Sequence, residues 1–431
     1  MFKSALKQKK VLIKYLVILF LLFSTVTLLL TSFLQYNINS IKKSELIESE
    51  LKLLHTKHSV IVNDKRNLIS DIRYIADSFR IHNEADENFD LLKQEWLSFS
   101  NNKKIYDQIR FIDIDGNELI RVNYTENGAV LVDQEDLQNK KDRYYFENTI
   151  VLEENQIYIS PLDLNIEKNK IEDPIKPVLR ITTPYYDANG AIRGIIILNY
   201  LANDLIDQID RVSTSSYGDT FLLNSDGYWL VDTNNPANEW SFMYEDRQDI
   251  SFSNEYPDEW KTIQSNEEGL QITDNGIFLY TKIALNESSA LKEYSIVVDS
   301  NNWMLISYIS SESKEGATLT QNLFELILNT IKKYFYLYIF IFFSTIIFAD
   351  LVAMNKNQRE QTKYFSEFDT MTGIYNRRAG LEILTQLYHN MEKYACIASI
   401  CFIDINCLKN INDELGHEAG DELILSVTNG I

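Results

Sequence analysis

The sequence predicts a membrane-anchored α/β protein, in which two membrane helices enclose a long α/β segment and a further α/β module begins after the second helix. Three observations carry this expectation. Two apolar runs are each long enough to cross a bilayer, strand–turn–strand patterns recur between them, and beyond the second run an apolar strand-like stretch alternates with helical ones. At 431 residues the chain has room for two or three domains. Its 41 Lys+Arg against 62 Asp+Glu leave a net charge of −21, which argues against nucleic acid as a partner. Hydrophobic residues make up 45%, enough to build cores and too many for a mainly disordered chain. The three cysteines, Cys396, Cys401 and Cys407, fall near the end and are expected to be core thiols rather than a zinc site, because no fourth ligand stands at metal-ligand spacing.

Residues 1–10 carry Lys3, Lys7, Lys9 and Lys10 and are expected to stay in the cytoplasm. Residues 11–34 form the first span, broken by one charge, Lys14, close enough to an end to snorkel. Its length, and the lack of a small-residue cleavage site after it, predict a retained anchor. Residues 334–354 form the second span, with Tyr334 and Tyr336 as interface anchors and Asp350 near the inner end. Lys356, Arg359 and Lys363 follow it, so both chain ends are expected inside and residues 35–333 outside.

Past the first span, Ile38, Ile41, Ile47, Leu51, Leu54, Val60, Leu68, Ile72 and Ile75 recur at three- to four-residue spacing without proline, which predicts a long amphipathic helix. Three apolar hairpins follow, around Asp115-Gly116, Asn189-Gly190 and Asp226-Gly227. The pattern appears before about residue 200 and again after it, so two similar α/β lobes are expected. The long helix, the turn at Asp115-Gly116-Asn117, YISPLDLNIE, PVLRITTPYYDANG and FLLNSDGYWLVD resemble the double Cache (tandem PAS-like) sensor family over residues 38–325. Within the first lobe, Arg143, Tyr144, Tyr145 and Phe146, with Tyr158, Asp163 and Arg180, bring forked cations together with aromatics. Such a set can grip a carboxylate and cage an ammonium or an apolar body, as in an amino acid or organic acid. The competing reading is that the aromatics fill the core and the arginines pair with local carboxylates.

After the second span, residues 355–368 are polar and free of Gly and Pro, and are expected to continue the membrane helix as a linker. Asp369, Thr372 and Gly373 mark a turn before a helix starting at Arg377 or Arg378, CIASICFIDIN reads as a buried strand ending in Asp404, and a turn at Gly416-His417 precedes a last helix. An aspartate at the carboxyl end of such a strand lies where open α/β sheets bind ligands and where magnesium is held beside phosphates, although it can equally just end the strand. The motifs DxxTGxxNRR (Asp369 to Arg378) and DINxLKxINDxxGHxxGD (Asp404 to Asp421) resemble the GGDEF family of diguanylate cyclases.

That resemblance implies a ferredoxin-like or cyclase-like α/β domain over residues 369–431, which condenses two GTP into cyclic di-GMP in a homodimer with Mg²⁺. By position, Asp404 and the carbonyl of Ile405 match the metal ligands, and Lys409, Asn412, His417 and Asp421 the substrate-binding residues. Asn406 and Leu408 replace the Asp and Phe that the family commonly has there. No Gly-Gly-Asp/Glu-Glu-Phe loop occurs before Ile431, so residues 369–431 are expected to be the N-terminal part of such a domain and inactive alone. The leading expectation is thus a bacterial inner-membrane receptor whose parent protein is a ligand-controlled diguanylate cyclase; the alternative is a non-enzymatic truncated sensor. A histidine kinase or chemotaxis receptor shares this sensor type but needs a phosphoacceptor-histidine helix or a long heptad helix after the second span. Neither pattern is present.

Overall fold

With neither Gly nor Pro to interrupt it, the N-terminal segment forms one unbroken helix, α1 (Phe2–Asn83), through the first apolar run and on through the amphipathic repeat. The computed structural model describes residues 2–83, 89–167, 170–285, 295–298, 302–394, 397 and 399–430. It divides into a larger unit, residues 36–323, and a smaller one made of residues 1–35 and 324–431.

In the larger unit α1 is followed by α2 (Asp90–Lys103), β1 (Tyr106–Asp113), β2 (Glu118–Thr125), β3 (Gly128–Leu131), α3 (Tyr144–Ile150) and β4 (Gln156–Ile159). The short β5 (Asp163–Leu164), β6 (Ile166–Glu167) and β7 (Lys170–Ile171) lead to the long pair β8 (Pro177–Tyr186) and β9 (Ile192–Leu201), and then to α4 (Asn203–Ser213). The second lobe holds β10 (Asp219–Leu223), β11 (Trp229–Asp232), α5 (Phe252–Glu255), α6 (Pro257–Ile263), β12 (Glu268–Thr273), β13 (Gly276–Ala284), β14 (Ser295–Val298), β15 (Asn302–Ser310) and α7 (Lys314–Thr320). The first sheet runs β14-β4-β8-β9-β1-β2-β3 with β5 beside β8, and the second runs β11-β10-β15-β13-β12. Strand β14 leaves the second lobe to pair in parallel with β4, so the lobes share main-chain hydrogen bonds.

All three expected hairpins are present, and they close in the same way. The side chains of Asp113, Asp187 and Asn224 each accept the backbone N–H groups two and four residues on, at 2.8–3.1 Å. The glycine before the return strand sits at φ 88° (Gly116), 75° (Gly190) and 84° (Gly227), where a side chain is strained. Residue parity along the strands then divides each lobe into two cores. On β1, β8 and β9 the residues Ile109, Phe111, Leu179, Ile181, Ile196 and Leu198 face the core that α1 fills, while Ile112, Ile195 and Ile197 face α3. In the second lobe Leu222, Ile277, Leu279 and Leu305 join the α1 core, and Phe221, Phe278, Ile306 and Tyr308 face α5 and α6.

From α1 this core receives Leu54, Ile61, Leu68, Ile72, Ile75 and Phe79, all buried. Ile38 and Ile41, which the spacing placed on the same stripe, are exposed. Phe79 is ringed by Phe111 at 4.2 Å, Tyr185 at 4.6 Å and Phe89 at 5.6 Å between centroids.

The smaller unit contains α8 (Leu323–Lys333) from its second residue on, α9 (Phe335–Glu367), α10 (Arg377–Tyr394), α11 (Leu408–Leu415) and α12 (His417–Gly430). Among the described residues two helices, α1 and α9, are long and apolar enough to cross a membrane by length and composition. Within this unit their apolar parts meet through Phe20–Phe342 and Phe23–Phe348, and the small Thr345 and Ala349 are buried at the contact. Leu21, Leu29, Phe340, Phe343 and Ile347 point outward. Helix α9 runs past residue 354 to Glu367 without a break, as expected of the linker, and α10 starts at Arg377.

Two expectations need correction here. The described residues of CIASICFIDIN, 397 and 399–406, form no strand, and Ile397 and Phe402 are 97% and 94% exposed. A buried strand needs ladder partners on its flanks, and the described residues of this unit supply none. For the same reason Cys401 and Cys407 are exposed rather than core thiols; Cys396 lies outside the described residues.

The second lobe also concentrates carboxylates. Burial, then the nearby Asp232 and Asp210, push Glu239 up from 4.5 to about 7, while its side chain accepts the Asp232 N–H at 2.8 Å. A carboxyl raised in the folded state stabilises it below its ordinary value, and that stabilisation is lost as pH climbs through the folded value. The melting temperature of the unit should therefore fall by a few degrees between pH 5 and 8, and Glu239→Gln, which keeps the acceptor, should flatten that slope in thermal denaturation followed by circular dichroism. In the first lobe, Phe79→Ala should cost about 3–5 kcal/mol, read as a large drop in melting temperature at fixed pH.

Candidate functional site

The first lobe carries a polar cluster on the sheet face that looks toward α3. Strands β1, β9 and β8 place Gln108, Asn199 and Arg180 opposite one another, with Arg110 two residues further along β1 on the same face. Both faces of these strands are covered, so polar side chains there are buried and must find partners. The Arg180 guanidinium, 4% exposed, donates to Asp163 Oδ1 at 2.7 Å and to the Tyr144 hydroxyl at 3.0 Å, which itself donates to Asp163 Oδ2 at 3.2 Å. Arg110, equally buried, donates to Asn199 Oδ1 at 2.8 Å, to the Tyr145 hydroxyl at 3.2 Å and to Glu118 Oε1 at 3.4 Å. Arg121 donates to the other oxygen of Glu118 at 3.0 Å.

Helix α3 supplies the lid residues. Arg143 stands at its N-cap with the guanidinium 6.0 Å from the Tyr145 ring, which Arg110 and Arg180 also approach, at 5.3 and 5.7 Å. From the same helix Asn148 donates to the Tyr158 hydroxyl at 3.2 Å, and Thr149 is hydrogen-bonded to Thr182 of β8. The structure thus brings Tyr144, Tyr145, Asp163 and Arg180 into direct contact, sets Arg143 over the same ring, and places Tyr158 in the apolar floor with Tyr145. Sequence reasoning missed Arg110, Glu118, Arg121 and Asn199. The one local signal was Arg110 flanked by Ile109, Phe111 and Ile112 in β1; the other three join through strand pairing.

The cluster is electropositive. Three guanidinium groups, of Arg110, Arg121 and Arg180, share the carboxylates of Glu118 and Asp163, and no ion pair of the fourth, Arg143, with a carboxylate occurs among the described residues. The buried Nε atoms of Arg110, Arg121 and Arg143 lack hydrogen-bond partners. Burial pushes the Tyr145 phenol up, yet Arg110, Lys140 and Arg143 outweigh it and hold the group below the usual tyrosine value. Tyr144, with burial as the largest influence and Asp163 beside it, is pushed up to about 12 even though Arg180 pulls it down. The field of the site is therefore strongest at Tyr145, where an anion would be stabilised most.

In the smaller unit the two motifs from Asp369 to Asp421 form a turn and a helix pair. Asp369 Oδ1 accepts from the Thr372 hydroxyl and from the N–H groups of Met371 and Thr372, which holds its carboxyl below the usual aspartate value. Asn376 Oδ1 accepts the Ala379 N–H at the start of α10, and Phe368 stacks on Tyr375 at 4.7 Å. Asp404 and Ile405 lie in the coil before α11, Lys409 and Asn412 on α11, and His417 and Asp421 on α12; Asp404, Lys409, His417 and Asp421 are exposed. The two helices pack closely because position 420 is glycine: a Cβ there would sit 1.8 Å from Asn412 Oδ1. Among the described residues no three His, Cys, Asp or Glu side chains gather into a metal cluster. One carboxylate with a neighbouring carbonyl is a hard-oxygen set that suits Mg²⁺ only when substrate phosphates complete the shell.

Residues 30–298 match the family described as the bacterial histidine kinase sensor domain, and residues 366–431 match the diguanylate cyclase GGDEF domain. The Escherichia coli K12 protein named “Probable diguanylate cyclase DgcC” is 37% identical over 70 residues, which are 16% of this chain and only 19% of that protein. Among solved structures, a domain of a sensory box/GGDEF family protein from Vibrio parahaemolyticus is similar with a TM-score of 0.54 and 22% identity, over 63% of this chain and 98% of that one. The extracellular domain of a histidine kinase gives the same TM-score and identity over 67% and 99%. At that identity the two structures speak for the fold alone. The chain belongs to the bacterial histidine kinase sensor domain family and joins that domain to a GGDEF domain.

Proposed function

We propose that this chain is the receptor part of a transmembrane diguanylate cyclase: a double Cache sensor outside the inner membrane binds a small carboxylate and governs the condensation of two GTP into cyclic di-GMP inside. Support for the output comes from the order and spacing of the two motifs around Asp369 and Asp404 together with the GGDEF match. Support for the orientation comes from the lysines before residue 11 and the cations after residue 354. In this reading Asp404 and the Ile405 carbonyl would hold Mg²⁺, which would supply charge to offset the triphosphate while a ribose 3′ hydroxyl displaces pyrophosphate from the α-phosphorus. Lys409 neutralises phosphate, and Asn412, His417 and Asp421 meet the nucleotide, Asn412 and Asp421 at the guanine edge. The reaction joins two nucleotides, one from each protomer, so the active form is a homodimer.

For the input, the single observation that favours an anion is the excess of guanidinium over carboxylate around Tyr145. Asp163, the group that would take an ammonium, is already bound by Arg180 and Tyr144. An organic acid therefore fits the cluster better than an amino acid does. Arg143 is the cation with most left to offer, and its removal leaves no buried carboxylate unpaired.

Two experiments test the reading. The full-length parent protein in membranes with GTP and Mg²⁺ should form cyclic di-GMP, and Asp404→Ala should lower turnover at least 100-fold; unchanged turnover would show that the metal rests elsewhere. In thermal-shift titrations of the chain with mono- and dicarboxylates, a stabilising acid should lose at least tenfold in affinity on Arg143→Gln. Stabilisation by amino acids alone, abolished by Asp163→Asn, would reverse the choice of ligand class.

A further inference from the structure

Helix α1 carries two rows of residues at seven-residue spacing into the larger unit. One row, Leu54, Ile61, Leu68 and Ile75, is buried and uniformly aliphatic. Because it repeats itself every heptad, its packing does not tell one helix register from the next. The other row, Glu50, Lys57, Asp64 and Asp71, does not repeat: its charges run minus, plus, minus, minus. Glu50, fully buried, accepts from the Ser216 hydroxyl and the Tyr217 N–H at 2.6 Å and from the Ser307 hydroxyl at 2.7 Å. Lys57, also fully buried, donates to Thr220 Oγ1 at 2.6 Å. Asp64 faces Tyr200, with its Oδ2 buried and without a partner, and Asp71 accepts from Lys103 and from the Tyr106 hydroxyl, both at 2.7 Å. On the adjoining row Lys65 donates to the Ala284 carbonyl at 2.9 Å.

These contacts divide by lobe. Glu50, Lys57 and Lys65 hold residues of the second lobe, and Asp71 holds residues of the first. We propose that this polar row is a register lock, which fixes α1 at one axial position against both lobes and excludes the neighbouring heptad register that the aliphatic row would accept. A shift of one heptad would set the Lys57 ammonium against the Tyr217 N–H, donor facing donor, where the Glu50 carboxylate now accepts, and would carry Asp64 to Thr220. A shift of one turn would leave Glu50 and Lys57 buried without partners. Both lobes therefore travel with α1 as one body, and a signal that leaves the unit along α1 does so by moving the helix together with the lobes rather than by sliding it past them. The inference stands on the geometry of this unit alone and holds whatever the ligand or the output.

The test is pulsed electron–electron spin-resonance distance measurement on the full chain in lipid nanodiscs, with Cys396, Cys401 and Cys407 replaced by serine. Spin labels are placed on α1 at Ser59→Cys and, in separate samples, on the second lobe at Ser225→Cys or the first at Ala188→Cys, all exposed positions. The parent should give one narrow distance for each pair. The triple variant Glu50→Leu/Lys57→Leu/Lys65→Met, which removes the pins to the second lobe, should add a second-lobe population displaced by one turn to one heptad, about 5–11 Å, while the first-lobe distance stays single. Leu54→Ala, a loss of packing in the aliphatic row, should leave both distances single. A folded triple variant with one unshifted second-lobe distance, or a parent with two, overturns the lock. Should the triple variant fail to fold, Glu50→Gln/Lys57→Met, which keeps volume, is read by the same criterion.

Discussion

The larger unit depends on one contact, the burial of a single helix face against two sheets at once. The side chains of Leu54, Ile61, Leu68, Ile72, Ile75 and Phe79 belong to a core that also contains Ile109, Ile181 and Leu198 of the first lobe and Leu222, Leu279 and Leu305 of the second. Neither lobe has that core to itself. Each sheet keeps a private core on its far face, around Tyr145 and Ile197 in one and around Phe221 and Phe278 in the other. The private cores can differ in character because the shared one carries the packing, at about 1.5–3 kcal/mol for each large aliphatic side chain removed from water. The second lobe spends its far face on aromatics: Phe221, Trp229, Phe252, Phe278 and Tyr308. The first lobe puts four arginines there.

That contrast separates packing from recognition. Buried guanidinium groups are tolerable only with partners, and a cluster built purely for stability would balance each one with a carboxylate. Here Glu118 serves two arginines, Arg143 contributes a ring contact, and buried Nε atoms are left over. Arg143 and these leftover donors are the feature on which the proposal of an anionic ligand rests. Tyr145 lies between three cations and the apolar floor, so a bound acid would meet charge on one side and Tyr158, Ile112 and Ile197 on the other.

Much of this was legible in the sequence, for identifiable reasons. The hairpins announce themselves because only a short polar side chain followed by Gly satisfies a loop whose first residue accepts two backbone N–H groups, and Asp113, Asp187 and Asn224 all meet that requirement. The unbroken course of α1 and α9 follows from composition alone. Half of the ligand cluster was visible because Arg143, Tyr144 and Tyr145 are adjacent in the chain, whereas Arg110, Glu118 and Asn199 join it only through strand pairing and register, which no local pattern encodes. Ile38 and Ile41 kept the helical period and yet found no sheet to meet. Periodicity reports which residues share a face, not how far along the helix the partner extends.

The miss at CIASICFIDIN follows from the same physics and bears on the metal. Strand propensity there is high, but a strand is a relation between segments. Without neighbours Ile397 and Phe402 stand in water, and Asp404 ends a coil instead of a sheet edge. In the proposed reading, burying that apolar run against flanking strands and aiming the Asp404 carboxylate at a phosphate-bound cation would be one structural event, since alternation along a strand decides both where Phe402 goes and where Asp404 points. Helices α11 and α12 do not share this dependence: Gly420 lets Asn412 pack against α12 within the pair itself. The motif thus divides into a helix pair that packs locally and a coil whose carboxylate, the proposed metal ligand, would take its direction from strand pairing.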